Sequence, residues 1–190
     1  MKLDNFSVKI QDGKERVTGY VEMAHNTKYM ITLSNDSKLD CDASVEIDGK
    51  EVGIWRVYAG KNISIERPAH DTGQFTFYKL GSSEAHKIGL TRNDKLGLIS
   101  VLFKPEKAKK HHEFHDAGIF DVILDDDIPD VSYSAGGTGL SGKSEQQFID
   151  VQPLDYDEAA FVHIHLRLVC NDDEPRPLTP RSTSIPPSLC

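Results

Sequence analysis

Residues 44–57 read SVEIDGKEVGIWRV. SVEI alternates polar and apolar side chains, Asp48-Gly49 interrupts the pattern, and VGIWRV resumes it from Val52. Asp-Gly between alternating runs is a strong short-range hairpin signal, because the tight turn that suits twisted strands needs positive φ at both central residues. The stretch predicts two antiparallel strands, with Trp55, the single tryptophan, in the core or half-buried.

Period-two patterning continues outward. KYMITLSN at 28–35 places Tyr29, Ile31 and Leu33 on one face. NISIE at 62–66 alternates again and stops at Arg67-Pro68. QFTFYKL at 74–80 sets Phe75, Phe77 and Lys79 against Thr76, Tyr78 and Leu80. LGLISVLFK at 96–104 is nearly all apolar, which predicts a central strand. In FVHIHLRLV at 161–169, Val162, Ile164, Leu166 and Leu168 form one continuous apolar face; Phe161, His163, His165, Arg167 and Val169 form the other.

Eight or nine such strands, separated by Gly, Pro, Asn and Asp clusters, predict an all-β protein. We read an antiparallel β-sandwich, a single jelly roll of about eight strands; immunoglobulin-like connectivity reads the same way. Helical periodicity is scarce, with room for a turn or two at 104–114 behind Pro105. The expected organisation is an N-terminal segment 1–15, a sandwich 16–170 and a Pro/Ser-rich C-terminal arm 171–190. That arm has little to bury and orders only against a partner.

With 190 residues, 38% of them hydrophobic, the chain suits one domain with a real core. A formal charge of −8 argues against a general binder of nucleic acid or anionic membrane. Cys41, Cys170 and Cys190 are odd in number and widely spaced, as reduced thiols of a cytosolic-type compartment would be. The start, MKLDNFSVKIQDGKERV, is charged throughout, and no run approaches a membrane span, so neither a signal peptide nor a span is expected.

GTGLSGKS at 137–144 matches the phosphate-loop pattern through Gly137, Gly142, Lys143 and Ser144. That chemistry needs a buried strand before the loop and a helix after it, whose N-terminal amides face the phosphates. The preceding ILDDDIPDVSYSAG is acidic and carries Pro129, and the following EQQFIDV alternates like a strand. We read a chance match and an exposed Gly/Ser loop. His111, His112 and His115, beside Asp116, have the residue types of a zinc or nickel site, but no fourth ligand is evident. A solvated turn is the plainer reading. Asp125, Asp126, Asp127 and Asp130 lack calcium-loop spacing and read as a solvated loop. No nucleophile motif occurs, so no catalytic residue, cofactor or resident metal is expected.

The succession YMITLSN, VEIDGKEVGIWRV, ISIERP and FTFYKL, with GGTGLSGKS and FVHIHLRLV behind it, resembles small jelly-roll proteins. Specifically, it resembles single-jelly-roll penton-type or minor capsid proteins of large double-stranded DNA viruses of algae and protists. The resemblance covers about residues 29–80 and transfers no catalytic residue. It implies a non-enzymatic shell subunit, found in the virion and assembled in the host cytoplasm. Its partners would be its own copies, a pentamer at a vertex among the options, and neighbouring capsid proteins, with no direct nucleic-acid contact. Two other readings stay open. One is a carbohydrate- or protein-recognising sandwich using Tyr133, the 136–142 loop and the 111–116 loop. The other is a cupin-like metal enzyme, which needs two or more of His111, His112, His115, His163 and His165 within ligand distance.

Overall fold

The computed structural model describes residues 1–16, 19–108 and 133–171. Among these the strands are β1 (Lys2–Leu3), β2 (Phe6–Ile10), β3 (Lys14–Glu15), β4 (Tyr20–Met23), β5 (Thr27–Lys28), β6 (Ile31–Asn35), β7 (Cys41–Ile47), β8 (Lys50–Val57), β9 (Lys61–Ile65), β10 (Gln74–Lys79), β11 (Leu98–Pro105), β12 (Tyr133–Ser141) and β13 (Val162–Asn171). A five-residue helix, α1 (Ser83–Lys87), and a 3₁₀ turn, Glu158–Ala160, complete the set.

The strands form a sandwich of two sheets. The smaller has the order β1-β2-β6-β9. The larger runs β5-β10-β12-β13-β11-β7-β8, with β4 added on β13 and β3 on β4. Pairing is antiparallel throughout, apart from the parallel pair β13–β4. Alternation explains the layering. Val8, Ile10, Ile31, Leu33 and Ile65 bury the inner face of the small sheet. Ala43, Val45, Val57, Ile99, Val101, Phe103, Ile164, Leu166 and Leu168 answer from the large one. Phe6 and Phe103 stack, with ring centroids 4.7 Å apart.

The hairpin forms as its sequence predicts. Asp48 and Gly49 both have positive φ, 54° and 76°, and join β7 to β8. Trp55 is buried. β11 lies between β13 and β7, the central position its apolar run predicts.

Several expectations are corrected. The sandwich starts before residue 16: Phe6, Val8 and Ile10 of β2 are buried and pair with β6. Gly137–Ser141, expected as an exposed loop, are strand, registered against β10 from Gln74 to Tyr78. Bare glycines allow this approach: a Cβ on Gly136 would sit 2.2 Å from Phe77 Cζ and 2.8 Å from the Tyr78 carbonyl oxygen. EQQFIDV, expected as a strand, forms neither strand nor helix. No helix starts at Lys104, since β11 continues to Pro105 and Glu106 bridges Tyr156. The helix falls instead at α1, where the Ser82 hydroxyl accepts the Ala85 N–H (3.1 Å) as an N-cap. His111, His112, His115 and the aspartates at 125–130 lie outside the described residues, as does the C-terminal arm beyond Asn171. No described helix is long and apolar enough to cross a membrane.

Candidate interaction surface

β8 and β9 are edge strands of the two sheets and lie near each other. Residues 142–157 form a strap across that side of the sandwich. The turn into it begins at Gly142, φ 66°. Ser144 follows, buried: its N–H donates to the Thr72 carbonyl (2.7 Å) and its hydroxyl donates to the Glu66 carboxylate. The Gln146 side chain then does the work of a strand. Its Oε1 accepts the Glu66 N–H (3.1 Å) and its Nε2 donates to the Ser64 carbonyl (2.6 Å). That covers part of an edge which would otherwise offer free backbone groups.

Two arginines hold the strap. Arg67 donates from Nε and Nη2 to the Gln146 carbonyl, at 3.0 and 2.7 Å. Its guanidinium lies 4.2 Å above the Phe148 ring, a cation–π contact, and Phe148 meets Trp55 edge-on at 5.7 Å. Arg56, on β8, donates to the Gln152 carbonyl (2.6 Å) and grips the buried Asp42 carboxylate through Nε and Nη2. The Tyr156 hydroxyl donates to the same carboxylate (2.6 Å). Burial first, then this bond, pushes the Tyr156 phenol up to about 12, and the bond to Asp42 raises the Arg56 guanidinium. The network is a structural clamp: Arg56 Nε and Nη2 and the Tyr156 hydroxyl each meet a defined acceptor.

Between the clamps the strap turns apolar groups outward. Ile149 is 89% exposed and Val151 about half exposed; Ile54 and Tyr58 of the underlying edge are also half exposed. All four line one cleft, with Asp42, Arg56 and Arg67 beside them. An apolar centre with a polar rim is the anatomy of a protein-contact surface.

The residues singled out in sequence are distributed differently. Gly137 is strand, while Gly142 and Ser144 shape the strap's first turn and Lys143 beside them is exposed. No helix N-terminus stands behind the pattern: residues 145–151 form neither helix nor strand. Tyr133 donates to Glu22 (2.7 Å), which Arg16 also clamps, so it is held in place. Burial raises the Glu22 pKa, but the bonds from Tyr133 and Arg16 outweigh it and leave the carboxyl below its usual range. The structure does bring His163 and His165 together, ring centroids 4.1 Å apart, with His163 Nε2 2.8 Å from Ser100 Oγ. They face outward from an open sheet, not into an interior. Burial and the neighbouring His165 lower the His163 pKa. Among the described residues, no group of three or more metal-ligating side chains converges.

Sequence reasoning missed Arg56, Arg67, Gln146 and the outward role of Ile149. One signal was visible: in QFIDV, Phe148 and Ile149 are adjacent and apolar, so both faces of an extended segment need cover. The chain matches no protein-family model, no curated protein and no solved structure. The all-β sandwich and the strap therefore stand on the chain's own geometry.

Proposed function

We propose that the protein is a non-enzymatic structural subunit, acting through self-association and contact with neighbouring shell proteins, with a penton-type capsid vertex as its setting. The observation that carries this reading is the clamped strap with Ile149 and Val151 turned outward over Ile54 and Tyr58. A rigid, preordered apolar segment loses little conformational freedom on docking, and contacts are correspondingly favourable. The setting rests on the jelly-roll resemblance of YMITLSN, VEIDGKEVGIWRV, ISIERP and FTFYKL.

Light scattering tests the association. The full chain should give a defined oligomer. Ile149→Asp with Val151→Asp should give a folded monomer, because charged groups at a desolvated centre remove the contact. A truncation after Asn171 separates the strap from the C-terminal arm: an oligomer that survives truncation but not the double substitution assigns the contact to the strap. A full-length chain that stays monomeric at high micromolar concentration refutes self-association.

A further inference from the structure

A second concavity adjoins the cleft at the strap, the two sharing His70. A cavity of about 610 Å³ opens between the Asp48-Gly49 turn, loops 68–71 and 88–96, and the 138–140 part of β12. Small-molecule sites typically enclose roughly 300–1,000 Å³ with mostly apolar walls and a few placed polar groups. Phe75, Leu90, Leu96 and Leu140 supply apolar walls here. Glycine makes the space: a Cβ on Gly137 would come within 2.6 Å of Leu96 Cδ1, and one on Gly139 within 2.5 Å of Ile88 Cδ1.

The charged groups decide what such a cavity takes. Asp48, Glu51 and Asp71 line it against Lys50, with His70 at its side. Asp48 is placed by the fold, its two oxygens accepting the Gly97 N–H (2.6 Å) and the Thr138 N–H (2.7 Å). No lysine or arginine among the described residues forms an ion pair with it. A carboxylate has about four lone-pair sites, and two backbone donors leave room for further donors. Burial disfavours its charge and prevails over the two backbone bonds and the more distant positive charges of Lys50 and Arg167, so a cation arriving in direct contact still gains more than it would at an exposed acid.

We propose that this cavity binds an organic cation, a primary ammonium or a guanidinium on a short aliphatic stem, with Asp48 as the anchor and the leucine wall holding the stem. The cation is either a free small molecule or a Lys or Arg side chain presented by a partner.

Calorimetric titration of the full chain tests this with three probes. Hexylammonium stands for the free amine, Nα-acetyl-arginine methylamide for a presented side chain, and hexanol is the uncharged control. At least one cation should bind saturably, ten-fold or more tighter than hexanol. Preference for hexylammonium points to a free amine, and preference for the arginine derivative to a partner's side chain. Asp48→Asn should weaken the binding ten-fold or more. Because Asp48 also ties two backbone amides, Leu140→Trp serves as a second variant; it narrows the cavity from its half-exposed rim, leaves Asp48 intact, and should give the same loss. Cations that bind no tighter than hexanol overturn the proposal. So does unchanged cation binding in a folded Leu140→Trp protein.

Discussion

Replacing Arg56 with methionine tests how the strap is held. Asp42 is 4% exposed, and Arg56 is its cationic partner through two nitrogens. Methionine keeps most of the aliphatic stem but leaves a buried carboxylate without its counter-charge. Breaking a buried pair from one side costs about 3–5 kcal/mol. Tyr156 still donates to Asp42 at 2.6 Å, a charge-assisted bond worth roughly 1.5–3 kcal/mol, so the loss should lie near the lower end, about 3 kcal/mol. Neutralising both partners, as Asp42→Asn with Arg56→Met, removes the orphaned charge and keeps the Tyr156 bond. The double variant should therefore be more stable than Arg56→Met alone, by about 1–2 kcal/mol. Urea unfolding followed by tryptophan fluorescence suits this test, since Trp55 is the single tryptophan and touches Phe148 of the strap. A loss below about 1 kcal/mol for Arg56→Met would show that the pair is solvated and that the clamp reasoning is wrong. A double variant as unstable as the summed singles would refute it too. Arg56→Met also frees the Gln152 carbonyl, so it should weaken any assembly made through Ile149.

Three further outcomes are expected. Gly136→Ala should cost about 1–3 kcal/mol in urea unfolding, because its Cβ meets the Phe77 ring and a backbone oxygen; a neutral effect would mean that β10 and β12 lie farther apart than described. In an NMR titration His163 should have a midpoint below the ordinary imidazole value of 6.5, and His165→Asn should raise it; a midpoint at or above 6.5 would contradict the partial burial of that ring. Glu22 has a lowered pKa when folded, so its contribution is complete above the ordinary glutamate value of 4.5 and fades as pH falls through the lower folded value. Tyr133→Phe should accordingly move acid unfolding, followed by circular dichroism, to higher pH, and no movement would place Tyr133 outside the clamp.

The strands that could be read from the sequence share one property: one face of each meets the core. In KYMITLSN the buried positions are Tyr29, Ile31, Leu33 and Asn35, and in FVHIHLRLV they are Val162, Ile164, Leu166 and Leu168 with Val169 at the end, so burial wrote a period of two into both up to that last residue. β11 was legible because Ile99, Val101 and Phe103 face the core, while side chains of the flanking strands β13 and β7 crowd its outer face enough to half-bury Leu98 and Leu102. β2 carries the same alternation in Phe6, Val8 and Ile10, but charged neighbours on either side made its segment look like solvent-exposed chain. β12 failed for a different reason. A strand of Gly136, Gly137 and Gly139 has no side chains with which to alternate, and its extended state follows from the space taken by the Phe77 and Tyr78 rings.

The strap lies beyond pattern reading altogether. Its backbone is held by arginine side chains 79 and 96 residues away, contacts that no local window contains. What a local window does contain is the conflict at Phe148-Ile149. Of the two adjacent apolar side chains, Phe148 takes the inward place against Trp55 and Arg67, and Ile149 is left in water. A lone monomer gains nothing from an isoleucine exposed to that degree, at a site where a polar residue would fit the same backbone. Under the proposed self-association, the adjacent pair is the sequence trace of the contact that would cover Ile149.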